Sequence, residues 1–381
     1  MTSPNGSLSV MKITHFSVQG LAGRTKPVEH VLQPNLNVFF GSNGSGKTSV
    51  LRLIYSALRN DVEIIRRAPF ESASVSFVTD AGVKVVRTIT SQQVAAIPAP
   101  QPQVLMTANG PITLPIFGPV PGWISEPGDG SSIQTSYLPT SRLFDDPAGG
   151  VWGGGDGSPY SELRLDQQFL SLVTNRWVNY NNQQLAQIRA LQDSGIARIL
   201  TSLFEPLPAT EADPSSVAFD DVTHFLERRG LHLDVQQDNF EQKYAEDPGL
   251  RRIVAHIQET EEQTLETEAP RREVDALLNR LVRGKAISLT DGGIQVQVEK
   301  GNIGIDVLSA GEKHLLRILI ECLSAHSNCL LIDEPELSLH IDWQHELAAA
   351  MRTVNPELQL VMATHSPEVM AEVSDEKIFR L

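Results

Sequence analysis

Cysteine is scarce in this chain of 381 residues: there are two, Cys322 and Cys329. Two thiols set in apolar surroundings supply neither a zinc site nor a disulfide framework, and they read as reduced, buried packing. Long apolar runs are missing too. No stretch approaches the ~18 residues of a membrane span, and the N-terminus shows no basic segment followed by an apolar one. A cytoplasmic chain with no membrane partner is expected. Basic charge is in deficit, with 31 Lys and Arg against 46 Asp and Glu and a net charge of −15. That balance argues against a broad grip on DNA or anionic lipid, which needs excess cations to release counterions. A local basic groove stays open. What remains is 41% hydrophobic and 20% charged, the composition of a globular chain with a proper core.

Residues 1–10, polar and bearing Gly, Ser and Pro, read as a loose tail ahead of Met11. From Lys12 to about Arg87 the runs "KITHFSVQG", "LNVFF", "SASVSFV" and "VKVVRTI" carry the period-2 pattern of strands. One helix interrupts them, "KTSVLRLIYSALRN", with Val50, Leu51, Ile54 and Leu58 at helical spacing. From about Ile97 to Pro159 proline and glycine dominate, as in "IPAPQPQ" and "AGGVWGGGDGSP", and predict turns; "IQTSYLPTSR" within them has strand texture. From about Leu163 to Arg283 apolar residues recur at three- and four-residue steps, predicting several helices, the last starting after Pro270. No heptad persists long enough for a coiled coil, so a long arm is not expected. Residues 205–270 hold 16 acidic and 5 basic side chains, net −11, and read as a solvated helical face or a dock for a basic partner. From about Ala286 strands and helices alternate to the end, which means a mostly parallel sheet with crossover helices. The expected domains are 1–160, 161–285 and 286–381.

"GSNGSGKT", Gly41 to Thr48, fits G-x-x-x-x-G-K-[ST] between a strand and a helix. Glycines let the backbone N–H groups of Asn43, Gly44, Ser45 and Gly46 converge on phosphate oxygens, and the helix start at Lys47, Thr48 and Ser49 adds partial positive charge. Lys47 is expected on the β- and γ-phosphates and the Thr48 hydroxyl on Mg²⁺. "CLLIDEPELSLH" supplies the complement, with Asp333 toward the magnesium and Glu334 as the base that activates water. Adjacent carboxylates beside a polyphosphate imply a divalent metal between them. A second Ser-x-Gly turn, "LSAGEK" from Leu308 to Lys313, has no Lys-bearing loop after it. Taken alone it is a capping box, Ser309 with Glu312 three residues on, or the start of a phosphate-binding helix.

"LSAGEK" followed by "LLIDEPE", "SLH" and "ATHSP" resembles the ABC-type ATPases, in the branch shared with chromosome-maintenance and DNA-repair proteins and the OLD family. The likeness covers about 60 residues past the tail and the last 75 or so. It implies an α/β fold: an ABC-ATPase head with a mostly parallel core sheet, an antiparallel β subdomain and a helical insertion between the glycine-loop and signature halves. It further implies ATP and Mg²⁺ as ligands, Ser309 and Gly311 touching the γ-phosphate held by a second copy, and His365 as the switch histidine. Gln134 or a neighbour would sense magnesium and the attacking water, and Arg24 would stand near the nucleotide; Arg24 and Lys26 fit solvated surface charge equally well.

The nuclease domain of OLD proteins has no counterpart, so no nuclease activity is expected in this chain. The resemblance implies an ATP-sandwiched homodimer that hydrolyses ATP as a switch, controlling a separately encoded nuclease or toxin effector in anti-phage defence, with DNA or a phage product as trigger. Two alternatives stay open: a repair ATPase clamping DNA, through a basic stripe at Arg271, Arg272, Arg280 and Arg283, and, less favoured, a transport ATPase.

Overall fold

A computed structural model describes residues 11–79, 81–98, 103–107, 110–114, 120–128, 133, 135–139, 159–202, 204, 217–228, 230, 232, 236–325 and 329–381. These residues form two compact units, one of residues 1–177 with 274–381 and one of residues 178–273. The expected tail 1–10 and most of the Gly/Pro-rich stretch lie outside the described residues.

The first unit is built on a five-stranded parallel sheet in the order Ile378–Arg380, Leu36–Phe40, Gln359–Thr364, Cys329–Asp333, Ser136–Leu138. Every residue of Cys329–Asp333 and of Gln359–Thr364 is buried, the continuous apolar texture that a sheet covered on both faces demands. The helix Lys47–Arg59 packs on these two strands, with Val50, Leu51, Ile54 and Leu58 fully inside. A second sheet is wholly antiparallel: Val28–Val31, Lys12–Gln19, Ser72–Val78, Lys84–Thr90, Ile124–Glu126. Gln359 stitches the two sheets together. Its side chain is fully buried, accepts from Ile13 N at 2.7 Å and donates to the carbonyls of Ile13 and Gln33 at 2.8 Å each, so its burial carries no unmet polar cost. The first unit is thus an α/β fold with a parallel core sheet and an antiparallel subdomain.

Arg87, which the sequence places on a plain strand, is 1% exposed. Its guanidinium donates to Ala57 O at 2.5 Å and Leu58 O at 3.1 Å. A cation on the last carbonyls of the glycine-loop helix complements the negative end of its dipole. Cys322 and Cys329 are free and buried, and burial pushes both thiols up.

The helical segment departs from expectation. Pro159–Ser202 is one helix of 44 residues, and Pro248–Leu281 is one of 34 that runs through Pro270 rather than starting after it. Proline removes a backbone donor within a helix. Around it, side chains satisfy nearby carbonyls: Arg272 donates to Leu265 O at 2.8 Å, and Gln184 donates to Thr267 O at 2.8 Å. In the second unit the two helices meet at Gly195, where a Cβ would lie 2.4 Å from Thr260 Oγ1. A small core of Val222, Phe225, Phe240, Tyr244, Val254 and Ile257 completes that unit.

Candidate functional site

Strand register gathers the site. Phe40 pairs with Thr364, and Phe39, Ala363 and Asp333 stand level across three neighbouring strands. The residues that leave the sheet next are Gly41, His365 and Glu334, all at its carboxyl edge, where parallel sheets place their ligands. The glycine loop follows the first strand, His365 follows the second, and Asp333 with Glu334 stands at the end of the third.

In the loop, Gly44 and Gly46 take φ of 82° and 98°, left-handed values that side chains resist. A Cβ on Gly41 would lie 2.7 Å from Ser45 Oγ and from Leu381 O, while one on Gly44 would meet nothing within 4 Å. Asn43 and Gly44 are exposed; Thr48 and Ser49 are half-buried at the helix start. Lys47 is buried, and its Nζ donates to Gly41 O at 2.8 Å and Ser42 O at 3.0 Å, which holds the ammonium over the loop. Ser45 Oγ is buried with no hydrogen-bond partner among the described residues. Arg24 Nη2 reaches Ser45 O at 3.4 Å, which places this exposed arginine beside the loop; Lys26 is exposed. Gln134 lies outside the described residues. Its neighbour Ile133 bonds to Leu58 O, and Thr135 Oγ1 donates to Cys329 O.

Asp333 is 2% exposed at the end of its strand. Glu334 follows with φ of 53°, an uncommon left-handed conformation for a residue with a side chain. Its N–H donates to Ala363 O at 2.7 Å, and its carboxylate lies 3.5 Å from His365 Nδ1. Glu336, which the sequence reading passed over, lies nearer to that nitrogen, at 3.2 Å. The available signal was the repeated acid in "DEPE", two residues after Glu334.

The second Ser-x-Gly turn is a capping box. Ser309 Oγ accepts from Glu312 N, and Glu312 Oε2 accepts from Ser309 N at 2.7 Å and from Lys285 Nζ at 2.6 Å. Burial alone would raise the Glu312 carboxyl, but these bonds from Lys285 and Ser309 hold it below the usual carboxylate range. Ser309 and Ala310 are nonetheless exposed, so the helix start stays accessible. Gly311 has an internal reason to be glycine: a Cβ there would stand 2.5 Å from Ser338 O. In the arginine stripe, Arg272 is engaged as above and Arg280 pairs with Glu346 at 2.6 Å.

The residues present fit a magnesium nucleotide. Gly44 leaves its surroundings open, Ser45 Oγ has no hydrogen-bond partner among the described residues, and the side chains of Asp333 and Thr48 offer oxygen donors of the kind magnesium takes. Magnesium bound with a nucleotide takes one or two such protein oxygens and fills its shell with phosphates and water. Among the described residues no group of three or more His, Cys, Asp or Glu could hold a metal ion by itself.

Residues 298–371, from the signature turn's approach through the histidine turn, match the family model "AAA domain, putative AbiEii toxin, Type IV TA system". Over those residues the chain is similar to an AAA-type ATPase domain. The chain is also similar to the "Retron Ec83 probable ATPase" of Escherichia coli, at 27% identity over 122 residues, 28% of this chain and 22% of that protein. It is also related to the "Retron Vc95 probable ATPase" of Vibrio cholerae serotype O1 biovar El Tor, at 39% over 49 residues, 13% of this chain and 10% of that protein. The matches thus span about a fifth or less of those relatives. Among solved structures, an Smc head domain with an extended coiled coil bound to the C-terminal domain of ScpA, from Pyrococcus furiosus, aligns over 95% of this chain and 91% of that one, with 13% identity and a TM-score of 0.41. An SmcHead bound to the C-winged helix domain of ScpA aligns over 94% and 92%, with 14% identity and a TM-score of 0.44. Both overlays are loose. Among the described residues no helix is long and apolar enough to cross a membrane.

Proposed function

We propose that this chain is an ATP-driven switch in which two copies pair head to tail, each completing the other's nucleotide site, and separate when ATP is hydrolysed. The observation that supports it most is the meeting of Gly41, Glu334 and His365 at one sheet edge, while the exposed Ser309 turn opens a separate helix of the same chain. In this reading the amides of Asn43 to Gly46, with Lys47 and Ser49, bind the phosphates, and Arg24 adds positive charge beside them. Thr48, Asp333 and Gln134 hold the magnesium, whose charge neutralises the triphosphate when bound. Glu334 takes the proton of the attacking water, and His365 steadies the terminal phosphate. Ser309 and Gly311 of the other copy offer a hydroxyl and helix-start N–H groups to that same phosphate. Occupancy then biases a two-state pairing, which controls a separately encoded nuclease or toxin effector in response to DNA or another phage-derived trigger, in the cytoplasm.

Ser309→Arg tests this reading. The variant is expected to bind ATP within about twofold of the parent and to lose turnover by about 100-fold or more, the scale of removing a phosphate-stabilising donor. Thermal melting registers the lost cap separately, at about 0.5–2 kcal/mol. Normal turnover in a folded variant would reduce the turn to a capped helix start and refute the shared site.

A further inference from the structure

Glu336 has no part in the scheme above, yet its bonds tie down the turn that follows the strand Gln359–Thr364. It is 5% exposed. Its Oε1 accepts from Thr364 Oγ1 at 2.7 Å and from His365 N at 3.1 Å, and lies 3.2 Å from His365 Nδ1. Thr364 Oγ1 in turn accepts from Ser366 N at 2.9 Å. One buried oxygen therefore fixes the whole Thr-His-Ser turn. Bonds to an ionised acceptor are stronger than neutral ones, and burying the acid is tolerable because they are made. Its other oxygen, Oε2, is buried with no hydrogen-bond partner among the described residues.

A carboxylate beside Nδ1 also decides which ring nitrogen carries hydrogen. A partner on one nitrogen sets the state of the other, as carboxylates do for metal-bound histidines. Glu334 is 3.5 Å from the same Nδ1, so Glu336 is the closer partner. We propose that Glu336 is the positioning residue for His365: it holds the ring by an Nδ1–H bond and so fixes where Nε2 stands, and Nε2 donates to a phosphate oxygen once the ring has taken a second proton from solvent. This rests on the ATPase reading given above for His365, but the orientation itself is a property of the protein without nucleotide.

The test is ¹⁵N NMR of the histidine-labelled full chain without nucleotide, with the His365 signals identified by their loss in His365→Gln. In the parent, His365 is expected to carry hydrogen on Nδ1. In Glu336→Ala it is expected to shift to the Nε2–H tautomer. With Mg-ATP, the same variant is expected to lose kcat by about 10- to 100-fold, the cost of removing a partner that orients a reacting group, while nucleotide affinity stays within about twofold. Glu336→Gln, whose amide oxygen still accepts, should recover part of the rate. Unchanged His365 signals in Glu336→Ala, in a protein that turns over ATP, would overturn the positioning role and spare the ATPase. The tautomer shift in a protein whose parent form never hydrolyses ATP would support the positioning and refute the ATPase. Should Glu336→Ala fail to fold, Glu336→Met fills the same volume without an acceptor and carries the same outcomes.

Discussion

Glycine 311 shows how one residue can be required twice. The resemblance assigns it to a neighbour's phosphate, whereas the fold packs it against the loop behind Glu334, with Ser338 O only 2.5 Å from where a Cβ would sit. Ser338 itself holds a positive φ of 65°, so that carbonyl is not free to swing away without disturbing a strained turn. Gly311→Ala gains about 1 kcal/mol of helix propensity and loses about 1–3 kcal/mol to overpacking against backbone. The expected result in urea melts is a net loss of about 1 kcal/mol, and a variant as stable as the parent would show that the loop yields. The candidate residues that gather at the sheet edge could be picked out in the sequence because each sits in a short contiguous motif: Lys47 after its glycines, Asp333 and Glu334 at the end of an apolar run. Glu336 was not, since its partners Thr364 and His365 lie 28 and 29 residues away, a pairing that appears only when two strands lie side by side. The role of Ser309 as a cap was legible too, and the Ser309–Glu312 bonds are present.

At the scale of elements, the strands "LNVFF" and "CLLID" were legible to the residue, as Leu36–Phe40 and Cys329–Asp333, because buried parallel strands are apolar throughout. Their order was not. An apolar run carries no record of its neighbours, and the strand Gln359–Thr364 stands between these two. The helical segment was less legible, because Pro270 reads as a boundary while the helix Pro248–Leu281 runs through it, with Arg272 and Gln184 donating to the nearby carbonyls of Leu265 and Thr267. Contact between the two long helices turns on Gly195, where Thr260 is fully buried and stiff at its branched Cβ. Gly195→Ala is expected to destabilise the chain by about 1–2 kcal/mol. In a Thr260→Ala background the same change should become neutral or stabilising, because the obstructing atoms are gone and neighbouring effects do not add. Equal costs in both backgrounds, measured by denaturant melts, would mean that the helices do not touch there.

For the whole molecule, the proposed pairing makes ATP the adhesive between two copies. Each copy holds a glycine loop and a carboxylate pair at its sheet edge, and its Ser309 turn is exposed at the start of another helix. Slowing hydrolysis without altering shape should therefore accumulate the paired form. Glu334→Gln keeps the volume of the side chain, removes the base, and is expected to slow turnover by about 10²- to 10⁴-fold. The decisive measurement is the solution mass of Glu334→Gln by light scattering with and without saturating Mg-ATP. The account predicts about twice the 41.8 kDa chain mass with the nucleotide and a smaller mass once it is removed. A variant that binds ATP fully and yet keeps the mass of a single chain would contradict it.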